Sequence, residues 1–163
     1  QKNPDIIVSM SYNSKQKING FPGTIFSSVD TDLTRGFHGS FSPVDVHNTL
    51  IANGPSFRSH YVDQFPTANI DVPVTIAQIL KTPFTQADGR ILKESLTNEN
   101  TLKEIKVTDN IIETSQTVTD LKIYNEDKTV SPTSEYSAKI YSKTLEIDDK
   151  VYKYFDYAVA TRK

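Results

Sequence analysis

The chain has 163 residues, no cysteine, and 18 Lys and Arg against 20 Asp and Glu for a formal net charge of -2. That length supports one domain with a core of its own. The charge balance gives no electrostatic case for nucleic acid or an anionic membrane as partner, and the lack of Cys excludes disulfides, thiol catalysis and thiolate metal sites.

Hydrophobic residues make up 36% of the chain and charged residues 23%, as in a globular rather than a disordered protein. No apolar run approaches the roughly 20 residues of a spanning helix. Gln1-Lys2-Asn3-Pro4 has neither an initiator Met nor an apolar signal core, so the chain reads as the middle of a larger gene product.

In chain order, Ile6-Ile7-Val8-Ser9-Met10 is a continuous apolar run of the kind buried on both faces of a parallel sheet. Asn13 to Gly36 turns polar, with Asn19-Gly20 and Pro22-Gly23 as turn signals, and reads as a long surface loop. Val46 to Ala52 resumes strand character and stops at Asn53-Gly54-Pro55. A helix opens near Asp71, the expected N-cap, with Pro73 in its first turn. Its Val72, Ile76, Ile79 and Leu80 form an apolar stripe expected to face a core, and Pro83 closes it. A shorter helix is expected at Ile91 to Leu96, after the turn at Asp88-Gly89.

Residues 98–120 read as a polar connector. From 121 onward, Leu121 to Tyr124, Ser137 to Ile147 and Val151 to Thr161 mix β-branched and aromatic residues with lysines, and Asp148-Asp149-Lys150 marks a hairpin turn. The expected organisation is an α/β portion over 1–97, the connector, and an antiparallel β-rich extension over 121–163 packing on the same domain. Tyr152, Tyr154, Phe155 and Tyr157 are expected to line the packed and half-exposed faces of that sheet. Lys139, Lys143, Lys150, Lys153 and Lys163 are expected on edges and solvent faces.

The segment with most chemical content is Gly36-Phe37-His38-Gly39-Ser40, followed by Val46 to Arg58. A His between two glycines sits on backbone free to approach a neighbour closely, and a neutral imidazole there suits zinc. On spacing alone, His38 is either a ligand or a surface or hydrogen-bonded histidine. His47 falls in the expected strand as a packing position, and His60 reads as solvated. Asp45 and Asp63 read as loop charges. Ser9, Ser11 and Ser40 have no His at a spacing that would activate them, so no catalytic residue is assigned.

Gly36-Phe37-His38-Gly39-Ser40, the run ending in Gly54-Pro55-Ser56-Phe57, the helix Asn69 to Leu80, and Asp88-Gly89-Arg90-Ile91-Leu92 come in an order that resembles the alkaline phosphatase superfamily. The closest resemblance is to its nucleotide pyrophosphatase/phosphodiesterase branch, over residues 1–97. It implies the C-terminal part of an alkaline phosphatase-like α/β sandwich with the β-rich tail appended. It also implies two divalent metal ions, most often zinc, about 4 Å apart and clamping the phosphoryl group of a phosphate-ester substrate. Carried over, a metal-ligand role falls on His38 alone.

The nucleophile and the other ligands lie in family segments N-terminal to anything present here, so the missing part of the same protein is the expected partner. The isolated chain is expected to be inactive. Exported or outward-facing placement, extracellular or periplasmic, is likewise what the resemblance implies. A non-catalytic binding or cell-surface module working through the β tail, and a sulfatase, phosphonate hydrolase or phosphomutase relative, stand as the other readings.

Overall fold

The computed structural model describes residues 6, 9, 12–18, 21–25, 40–98, 104–113, 123–124, 130–131 and 136–162. Strands β1 (Tyr12–Ile18) and β2 (Phe21–Ile25) pair antiparallel, Ile18 opposite Phe21. The expected loop over 13–36 is therefore a hairpin in its first part. Asn19-Gly20 between the strands is the turn signal already legible there. Of the expected strand at 6–10 only Ile6 and Ser9 are described, and Ile6 is exposed.

Helix α1 (Pro43–Val46) is a single turn with Pro43 at its start. The Ser42 hydroxyl accepts from Asp45 N at 3.3 Å, satisfying an otherwise unpaired helix-end donor. The strand expected over Val46 to Ala52 is not formed. Val46 ends α1, and residues 47–53 take no regular structure. A strand exists only with a ladder partner, and no backbone hydrogen bond is made by Thr49 to Asn53 among the described residues.

Helix α2 (Asp71–Ile79) forms where the sequence places it. Its C-terminus is a Schellman closure: Thr82 N donates to Ala77 O at 2.9 Å and Lys81 N to Gln78 O at 3.1 Å. Lys81 sits in the left-handed region at φ 53° to make that turn. Two expectations for α2 are corrected. Asp71 is its first residue rather than the N-cap, which is Ile70. The buried face carries Asp71 and Thr75, while Ile76 and Leu80 of the expected core stripe are 47% and 67% exposed. Beyond it, the short helix expected at 91–96 is one 3-10 turn, Lys93–Ser95.

Strand β3 (Lys106–Glu113) lies within the expected connector, and β4 (Ile123–Tyr124) pairs with β5 (Val130–Ser131). The long strands β6 (Tyr136–Ile147) and β7 (Lys150–Arg162) meet at Asp148-Asp149. Both turn residues have positive φ, 51° and 61°, as a two-residue turn matched to strand twist requires. The three-stranded antiparallel sheet has the order β3-β6-β7. Lys106–Glu146 at 3.4 Å, Asp109–Lys143 at 2.7 Å and Glu113–Lys139 at 2.6 Å mark one constant β3–β6 register. Such exposed pairs specify register more than they stabilise, at about 0–1 kcal/mol each. The fold is thus mixed α/β and rich in β-structure.

The chain divides into two compact units. The first comprises Gln1–Asn48, Ile111–Tyr141 and Asp156–Lys163; the second comprises Thr49–Asn110 and Ser142–Phe155. In the second, Leu145, Ile147 and Tyr154 form the core, with Phe65, Ala68, Ile105 and Tyr152 against it. Along β7, Tyr152 and Tyr154 turn inward while Val151, Lys153 and Phe155 turn out, the period-2 pattern expected of the aromatic run. Among the described residues no helix is long and apolar enough to cross a membrane.

Candidate functional site

The chemically suggestive stretch runs from Gly36 to Arg58. His38, the expected metal ligand, lies outside the described residues. Two positions later lies a tightly anchored corner of the first unit. Ser40 is buried, its hydroxyl donates to Asp45 Oδ2, and it accepts from Ser42 N at 3.1 Å. Phe41 N donates to Ser9 Oγ at 3.0 Å, and Ala158 N of β7 donates to Phe41 O at 2.9 Å. Asp45 is therefore the acceptor that orients Ser40, not a free loop charge.

His47 follows this corner and does not act as a packing residue. Its side chain is 53% exposed, and Nε2 bonds Asp156 Oδ1 of β7. A carboxylate only accepts, so Nε2 is the donor in this contact. The ring stands edge-on to Tyr157 at 6.3 Å, and Tyr157 stacks on Tyr141 at 4.3 Å. A carboxylate behind an imidazole fixes its tautomer and orientation, the arrangement used to present a base or a ligand nitrogen. Sequence reasoning missed this pair because the partners are 109 residues apart.

In the second unit the motif residues turn toward one another. Phe57 and Leu96 form an antiparallel bridge, flanked by Arg58 N to Ser95 O at 2.9 Å and Thr97 N to Ser56 O at 3.0 Å. Arg58 Nε adds a bond to Leu96 O at 3.0 Å. The Gly-Pro-x-Phe element thus ends as a strap across the 3-10 turn. Asp63 accepts from Phe65 N and from Ser95 Oγ, tying the same turn from another side.

Asp71, fully buried, accepts from Ala68 N and from Arg90 N, each at 2.8 Å. Thr75 donates to Asp71 O at 2.8 Å and accepts from Leu92 N at 3.0 Å. Gly89 has no room for a side chain, since a Cβ would stand 2.1 Å from Ile70 O. The Asp-Gly-Arg run is therefore a seam closing onto the start of α2.

Arg90 extends this seam inward. Nε donates to Tyr154 Oη at 2.8 Å, and Nη2 donates to Pro66 O at 3.1 Å while standing 2.6 Å from Glu94 Oε1. The Glu94 contact is a close ion pair without hydrogen-bond alignment, and neither Glu94 oxygen nor Arg90 Nη1 has a hydrogen-bond partner among the described residues. Burial works against the Arg90 charge, but Glu94 outweighs it and raises the guanidinium above its ordinary value. Burial, helped by the charge of Asp71 and opposed by Arg90, pushes the Tyr154 hydroxyl up. Tyr61, beneath the Arg58 guanidinium at 5.8 Å, is raised by burial and then by Asp63 and Glu94.

The metal chemistry implied by the resemblance needs several His, Asp or Glu side chains converging. Among the described residues no group of three or more does so. His60 is exposed at φ 56° with Ser59 Oγ beside its Nδ1 at 3.3 Å, and His47 is engaged by Asp156. The described residues do not by themselves fit a dinuclear site. Comparison with known proteins returns no match to a family model, a curated protein or a solved structure.

Proposed function

We propose that this chain is the C-terminal portion of a metal-dependent phosphoric ester hydrolase of the alkaline phosphatase superfamily, on its phosphodiesterase/nucleotide pyrophosphatase branch. His38 serves as one metal ligand. The nucleophile, the remaining ligands and most of the α/β sandwich come from segments of the same protein outside these 163 residues. Two divalent ions, most often zinc in such enzymes, supply Lewis-acid stabilisation of the phosphoryl group when bound. Placement outside the cytoplasm belongs to the same reading.

The observation that supports this is how the motif segments meet. Gly54 to Arg58, the start of α2 and Asp88 to Leu96 are separate in sequence, yet the last holds both others, α2 through Asp71 and Thr75 and Gly54 to Arg58 through the Phe57–Leu96 bridge. Segments that share a scaffold are constrained together, which supports reading them as one unit. The test is hydrolysis of a phosphodiester substrate with added zinc, by the isolated chain and by the whole protein. The whole protein is expected to be active and the isolated chain inactive. No activity in either overturns the reading.

A second reading, a β-rich binding module, draws on the outward residues of β7. Val151 is 62% exposed and Phe155 44%, with Lys153 between them. Replacing both apolar residues by Ser separates the readings, because hydrolysis would survive and surface binding would not.

A further inference from the structure

We propose that Asn53 is a site of spontaneous backbone-assisted deamidation, the Asn53-Gly54 linkage passing through a succinimide to aspartate and isoaspartate. The reaction needs an accessible side-chain amide, an unshielded following N–H, and backbone able to swing the two together. Asn53 is exposed, and Gly54 has no β-carbon to obstruct attack. Gly54 N–H makes no hydrogen bond among the described residues, although Gly54 O accepts from Phe57 N at 3.1 Å.

The preceding backbone adds the required freedom. Thr49 to Asn53 makes no backbone hydrogen bond among the described residues, and Ile51 within it is 85% exposed. Among the described residues, rotation about Asn53 therefore breaks no hydrogen bond of this segment.

The Gly54 nitrogen loses its proton to solvent base and attacks Asn53 Cγ, forming the N–Cγ bond. The Cγ–Nδ2 bond breaks and the nitrogen leaves as ammonia. Water then opens the five-membered ring at either carbonyl. Opening at one carbonyl yields Asp. Opening at the other yields isoaspartate, with the backbone rerouted through the side chain.

Asn48 is the contrasting case within the same exposed segment. Its own N–H donates to Val46 O at 3.0 Å, and the next residue is Thr49, whose β-branch crowds the attacking nitrogen. The fold exposes both asparagines, so local geometry and the following residue decide between them. The product carboxylate would stand immediately before the Gly54 to Arg58 strap.

The whole chain is incubated in mildly alkaline buffer, and the tryptic peptide running from residue 36 to residue 58, which carries both asparagines, is followed by fragmentation mass spectrometry. The expected result is a gain of about one mass unit at Asn53 with isoaspartate exceeding Asp, and Asn48 unchanged. The rate in the folded chain should lie within about threefold of that in urea, since no described residue shields the site. Asn53→Gln should abolish the shift without altering the circular dichroism spectrum. Equal modification of Asn48 and Asn53, or a folded rate more than about tenfold below the unfolded one, overturns the proposal.

Discussion

The Asp71 carboxylate holds the Arg90 backbone: its Oδ1 accepts from Arg90 N at 2.8 Å across 19 positions of sequence, while Oδ2 holds Ala68 N. One fully buried side chain thus fixes the start of α2 and the seam that closes on it. Removing it leaves the buried Arg90 N–H unpaired, at about 1–3 kcal/mol, and the half-buried Ala68 N–H at less. Asp71→Ala should destabilise the chain by about 3 kcal/mol in urea unfolding, and Asp71→Asn by less, because one carbonyl acceptor remains.

Gly89 gives an independent check on the same seam. A β-carbon there would meet the Ile70 carbonyl at 2.1 Å, with Ile70 C and Asp71 N also within 3.0 Å. Backbone cannot yield as a flexible side-chain tip does. Gly89→Ala should therefore destabilise by about 1–3 kcal/mol in thermal unfolding, against a negligible effect for an alanine at exposed Lys150.

The Arg90–Glu94 ion pair is almost wholly buried, so breaking it should cost more than erasing it. Glu94→Ala leaves a guanidinium unpaired in the interior, at about 3–5 kcal/mol. The double change Arg90→Met with Glu94→Leu should be closer to the parent in urea unfolding than Glu94→Ala alone. A double variant worse than the single one would contradict the description of this contact.

Tyr154 makes stability depend on alkaline pH. Its hydroxyl is raised by burial first, so it stays neutral in the folded chain where the unfolded chain has already ionised. The resulting stability is fully present below the unfolded value of about 10 and is lost as pH rises beyond it toward the folded value. Urea midpoints measured across that range should fall for the parent chain and fall less for Tyr154→Phe, which lacks the ionising group but also the Arg90 bond.

Lys81 occupies the left-handed position of the α2 Schellman closure at φ 53°. A glycine takes that conformation without the β-carbon penalty, so Lys81→Gly should stabilise by up to about 1 kcal/mol in thermal unfolding.

The sequence reveals what local chemistry decides. Asp148-Asp149 between two strand-like runs, and Asp71 with Pro73 at a helix start, need no distant partner to be read. The buried face of α2 is another matter. Val72, Ile76, Ile79 and Leu80 have the spacing of a core stripe, yet Asp71 and Thr75 face inward because the 88–96 segment satisfies them through its backbone. That partnership joins residues 17 to 19 positions apart and leaves no periodic trace. Val46 to Ala52 fails for a related reason, since apolar composition proposes a strand but only a neighbouring ladder makes one. The His47–Asp156 pair is invisible to any local pattern.

His38 is the proposed metal ligand of a phosphoric ester hydrolase. The most direct test is the zinc content of the purified whole protein, wild type against His38→Ala, after dialysis. About two zinc ions are expected in the wild type and about one in the variant, with phosphodiester hydrolysis lost alongside. Equal zinc content and undiminished hydrolysis in the two proteins would contradict it.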